Sequence, residues 1–94
     1  MANRDEYVAK MKAQLDDWTE EIGRLEKKLS AASDATKEKL EPHVEKAREA
    51  RDAAAKKLAE LKEAGESSWE SLQGEIEHIW KTFKQSVNYF KSQL

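Results

Sequence analysis

The sequence predicts an all-α protein of three helical segments, at about residues 4–30, 36–64 and 67–93, closing as an antiparallel coiled coil or three-helix bundle. Three observations carry that expectation. Large apolar residues recur at helical spacing in both outer thirds of the chain. Charged residues are 38% of the total, yet they are interleaved between the apolar ones rather than blocked. Cap-type residues cluster at SAASDAT and again at AGESS. A chain this charged but this regular reads as long solvated helices, not as disorder. Ninety-four residues make one domain, 1–94, and so small a core often gains from oligomerisation.

The first segment, from about Arg4 to Leu29, carries a strict heptad. Val8, Leu15, Ile22 and Leu29 occupy one set of core positions; Met11, Trp18 and Leu25 occupy the other. Alternating steps of three and four keep one seam turned towards a partner helix. Asn3 is placed to cap this helix, with Glu6 completing a capping box. Gly23 reads as a surface or close-packing position that costs roughly 1 kcal/mol against alanine.

The stretch Ser30–His43 allows two readings. Ser33 or Asp34 can cap a new helix. Alternatively Leu29, Ala32, Thr36, Leu40 and Val44 form one stripe through a continuous helix. Pro42 then kinks that helix, or else sits in the first turn of a fresh one. From Val44 the heptad resumes as Val44, Arg51 and Leu58 with Ala47, Ala54 and Leu61, small residues that let a partner approach closely. Glu45 with Arg48, Arg48 with Asp52 and Asp52 with Lys56 have the spacing of helical ion pairs. Gly65 suits the C′ position of this helix, and Ser67 or Ser68 can cap the next.

In the last segment Trp69, Leu72, Ile76, Ile79, Trp80, Phe83, Val87, Phe90 and Leu94 fall within an arc of about 100° on a helical wheel. Many recur eleven residues apart, as Trp69 and Trp80 or Ile79 and Phe90 do. That period gives a nearly straight stripe. Acids at its start and bases at its end complement the helix dipole. Two closures bury these faces: a turn near residues 30–36 giving a three-helix bundle, or one long kinked helix over residues 4–64 in a swapped dimer. Narrow seams and an alanine-rich middle helix favour a homo-oligomer, most simply a dimer.

Sites of chemistry are sparse. Glu75 and His78 match a Glu-x-x-His element, but a di-iron centre needs a second such element and further glutamates. Both residues fall away from the apolar arc, so no metal or other cofactor is expected. The serines sit at joints or on polar faces and the three glycines are isolated, so neither a nucleophilic triad nor a phosphate loop is expected. Seventeen bases against nineteen acids leave no polybasic footprint for nucleic acid. No apolar run reaches the ~20 residues of a membrane span, and MANRDEYVAK lacks the apolar core of a secretory signal. The default expectation is a soluble cytoplasmic protein. Aromatic residues at helical spacing read as core before they read as a ligand cage.

Taken together, YVAKMKAQLDDW (Tyr7–Trp18), EKAREARDAAAKKLAELK (Glu45–Lys62) and SSWESLQGEIEHIWKTFKQS (Ser67–Ser86) resemble a widespread group of small bacterial coiled-coil proteins without an assigned activity. Pro42 and the SAASDAT joint depart from the more uninterrupted helix of that pattern. The eleven-residue period of the last segment is similar to that of apolipoprotein and phasin helices. The resemblance implies no catalytic residue. The expected function is non-catalytic: self-association or docking of a partner helix through the seam and the stripe. The competing expectation is reversible binding to a lipid or granule surface, for which Lys84 and Lys91 flank the stripe suitably.

Overall fold

Three helices follow one another with little between them: α1 (Ala2–Ser30), α2 (Asp34–Glu63) and α3 (Glu66–Ser92). The computed structural model describes the backbone of residues 2–93 and the side chains of residues 4–93. Leu94, the last member of the α3 stripe, lies outside the described residues. So does the side chain of Asn3, although α1 already begins at Ala2 and places Asn3 inside the helix. The helices lie antiparallel in sequence order, in a rod of 50 × 19 × 18 Å. α2 packs closely on both neighbours, whereas α1 and α3 stand further apart.

The first turn is made by the cap. Ser33 is extended (φ −64°, ψ 159°) and its hydroxyl accepts the amide of Thr36 at 3.3 Å. That satisfies one of the donors a helix start leaves free. The chain therefore reverses at residues 31–33, and the first of the two closures is the one adopted. Pro42 neither starts α2 nor ends it; the helix runs through it at its ninth residue. Its missing amide would have bonded Glu38, and both residues are exposed, so water can satisfy that carbonyl.

The second turn corrects the expected caps. Ala64 (φ −76°, ψ 143°) ends α2 and Gly65 (φ −77°, ψ 174°) caps α3, both extended. No glycine has positive φ, so Gly65 is not a left-handed C′ residue. Ser67 and Ser68 lie inside the first turn of α3. The Gly65 carbonyl accepts the amides of Ser68 and Trp69 at 3.2 and 3.1 Å. Two extended residues are enough to reverse the chain, which leaves no room for a separate glycine cap followed by a serine cap.

Inside the rod the apolar residues meet as the periodicity requires. Around the first turn, Trp18, Ile22 and Leu25 pack with Leu40, Val44, Ala47, Ala50 and Ala54 of α2 and with Phe83, Val87 and Phe90 of α3. Towards the second turn a smaller cluster joins Met11, Leu58, Leu61 and Ile76. The middle helix lacks bulk, but its alanines let the other two helices close in, and Trp18, Phe83 and Phe90 supply the volume. The position expected for Arg51 is filled instead by Ala50, which is buried. Arg51 leans aside, half-buried, to pair with Asp52 at 3.0 Å. Of the expected pairs along α2, Glu45–Arg48 forms at 2.9 Å. Arg48 turns its other nitrogen across to Glu26 of α1 rather than to Asp52.

Candidate interaction surface: the seam between α1 and α3

The wider spacing of α1 and α3 is filled by aromatic rings, because Tyr7 and Trp18 on α1 and Trp69 and Trp80 on α3 repeat at the same eleven-residue interval. Trp18 of α1 lies against Phe83 (centroids 4.3 Å apart, planes at 7°) and Trp80 (4.8 Å, 26°) of α3. Nearer the second turn Tyr7 meets Trp69 edge to face at 5.3 Å. The Arg4 guanidinium sits over Trp69 at 5.3 Å and the Lys84 ammonium over Trp80 at 5.6 Å. Such contacts add about 0.5–1.5 kcal/mol each beyond burial when the geometry is good. Of the aromatic residues, Trp18, Phe83 and Phe90 are buried in the core. Trp69 and Trp80 remain half-buried along the seam.

The other residues expected in the seam and the stripe, Leu94 apart, divide by burial. Met11, Trp18, Ile22 and Leu25 of α1 are buried; Val8, Leu15 and Leu29 are half-buried. In α3, Ile76, Phe83, Val87 and Phe90 are buried, whereas Leu72 and Ile79 are half-buried. All pack in one of the two clusters. Ser86 is also buried, at a position the stripe did not include.

A groove of ≈ 420 Å³ opens along the seam between Tyr7, Met11 and Gln14 on one side and Ile76, Glu77 and Trp80 on the other. Tyr7 was not among the expected seam residues. The signal was present: Tyr7, Gln14 and Glu21 recur every seven residues and all three are half-buried. That row flanks the heptad core and faces the third helix. The Tyr7 hydroxyl is enclosed and has no hydrogen-bond partner among the described residues, and neither has Nε1 of Trp18. Burial raises the Tyr7 phenol above its usual value, helped by the nearby negative charge of Glu77.

Polar links between helices are unevenly distributed. Near the first turn polar links join α1 to α3, Glu21 to Lys91 at 2.8 Å; α1 to α2, Glu26 to Arg48; and α2 to the C-cap of α3, Lys39 to Gln93 at 2.8 Å. Glu21 also accepts from Arg24 at 2.7 Å. The Lys91 ammonium, with help from Arg24 and against some burial, lowers the Glu21 carboxyl below its ordinary value. Towards the second turn the one such link among the described residues joins α2 to α3, Lys57 to Glu75 at 3.2 Å. Among the described residues the first half of α1 makes no cross-helix ion pair; packing and the Arg4–Trp69 contact hold it.

Glu75, weighed above as half of a metal-binding element, is thus engaged with Lys57, and His78 is exposed one turn away. No group of three or more His, Cys, Asp or Glu side chains converges among the described residues. None of the described helices is long and apolar enough to cross a membrane. What fold and seam define is a class, the antiparallel three-helix bundle with an aromatic seam between its first and third helices. Set against models of protein families, curated proteins and solved structures, the chain finds no match in any of the three.

Proposed function

We propose that this is a non-catalytic helical protein that acts by associating with a second copy, a dimer being the simplest product, or by docking a partner helix. The observation that carries the reading is the first half of α1. Tyr7, Val8 and Leu15 there, with Trp69, Leu72 and Trp80 opposite, form an apolar seam that is only half-covered and has no ion pair to α2 or α3 among the described residues. A seam already shaped for one helix accepts another of the same pattern. The rest of the surface offers little else, since Tyr89 is the single exposed large apolar side chain among the described residues. A cytoplasmic setting completes the proposal, in keeping with so densely charged a surface.

The test is light scattering after size exclusion over a range of loading concentrations, with a synthetic helix of residues 4–30 added as the partner probe. A mass that rises with concentration, or a complex with the probe, is expected. A monomer at every concentration that also ignores the probe would end the proposal.

One observation favours a second reading. Lys84 lies over Trp80 at the edge of the α3 stripe, an arrangement suited to a helix resting at a lipid surface. Because the stripe faces inwards, adsorption would require the bundle to open. Tryptophan emission should then shift to the blue with anionic vesicles; unchanged emission at high lipid would remove this reading.

A further inference from the structure

We infer that the joint Ala31–Ser33 is a hinge through which α1 leaves its own chain and packs on α2 and α3 of a second copy. The inference rests on the self-association arm of the proposal above and says how that association is built. Three features of the joint support it. Ala31 and Ala32 are strong helix formers with no glycine between them. Helical bonding already runs into the joint, with the Ala31 amide on the Lys27 carbonyl at 3.3 Å and the Ala32 amide on Leu29 at 3.1 Å. The stop signal is the single Ser33 cap.

The apolar stripe, moreover, does not stop where the helix does. Leu29, Ala32 and Thr36 are half-buried and Leu40 and Val44 are buried, at steps of three, four, four and four. Straightening the joint therefore yields one helix with an unbroken seam from α1 into α2. In the exchanged pair every native contact of α1 is remade with an identical surface, so the released core costs nothing at equilibrium once two copies meet. The two straightened joints cross with their Leu29–Thr36 stripes facing each other, a contact the monomer lacks. Short connections between packed elements are the usual hinges of such exchange. Release would begin at the unlinked first half of α1. It must also break Glu21–Lys91 and Glu26–Arg48, so exchange should be slow and should speed up on warming.

The chain contains no cysteine, which makes a linking experiment clean. In a Glu21→Cys/Lys91→Cys variant a bismaleimide linker joins α1 to α3. Exchange predicts that the dimer fraction is linked between chains and runs at twice the monomer mass on a denaturing gel. A second variant, Ser33→Ala, removes the cap from the turned form alone. Each cap is worth roughly fivefold in the balance, and a dimer straightens two joints, so association should rise roughly 25-fold. Ala31→Gly/Ala32→Gly, which penalises the straight helix, should lower it. If dimers form but the linker stays within each chain, exchange is wrong while self-association stands. If neither the native chain nor Ser33→Ala dimerises at any concentration, both fail.

Discussion

The two ends of this rod are built from the same repeat but are not held in the same way. Around the first turn, Leu40, Val44, Ala47 and Phe90 are fully buried and each pair of helices is tied by a polar link. Towards the second turn the core shrinks to four buried residues, flanked by half-covered Tyr7, Val8, Trp69 and Leu72. The difference shows that a heptad specifies which side of a helix faces inwards, not how tightly that side is held. Tightness here follows from what the third helix presents: Phe83, Val87 and Phe90 near one end, a groove beside Ile76 and Trp80 near the other.

The largest expected effect breaks the tight end. Trp18→Ala removes a ring that is 2% exposed and stacked on two others, and should cost about 3–5 kcal/mol. Domains of this size have total stabilities on the order of 5–15 kcal/mol. Trp69→Ala, the same change at the loose end, should cost about 1–2 kcal/mol because that ring is only partly buried. Urea titrations of the two variants measure the contrast directly; equal losses would erase it.

Next come substitutions that stabilise. Added Cβ atoms at Gly23 and Gly74 meet nothing within 4 Å, and both glycines lie inside helices. Gly23→Ala and Gly74→Ala should each add about 0.5–1 kcal/mol, read as a higher urea midpoint with unchanged slope. Tyr7→Phe sharpens the picture of the loose end. It deletes the hydroxyl enclosed without a partner and should be neutral or raise stability by up to about 1 kcal/mol. A clear loss would mean that the hydroxyl has a partner in solution.

The smallest effect is electrostatic and belongs to the tight end. The folded protein holds the Glu21 carboxyl below its ordinary value of 4.5, chiefly through the Lys91 ammonium. A group depressed on folding adds stability above its unfolded titration range, and that stability is lost as the pH falls through the folded value. Thermal melts should therefore show the native chain losing more stability than Glu21→Gln between neutral and acid pH. The difference should be about 0.2–1 kcal/mol, and added salt should reduce it.

Much of this fold is legible in the sequence because a helix repeats its neighbours every turn. The positions of Ile22, Leu25, Ile76 and Phe90 follow from spacing alone, and all four are buried. What spacing does not decide is the geometry between helices. Val8 and Ile22 hold equivalent heptad positions, yet one is half-covered and the other buried. Ala50 rather than Arg51 enters the core because the burial of a small side chain depends on how closely α3 approaches. Gly65 misled for a related reason. Glycine suits several turn geometries, and only the two-residue length of the connection selects the extended one. Tyr7 was visible as part of a row with Gln14 and Glu21, but a row of mixed polar and aromatic residues carries little weight until a third helix is seen opposite.

Amide hydrogen exchange measures, residue by residue, how independently the first half of α1 opens. Opening free energies follow local packing and polar links. Amides of residues 8–15 should therefore exchange well before those of residues 20–29 and 44–54, which share the larger cluster. Protection that is uniform along α1, collapsing only with the whole bundle, would contradict the claim that the end near the second turn opens before the end near the first.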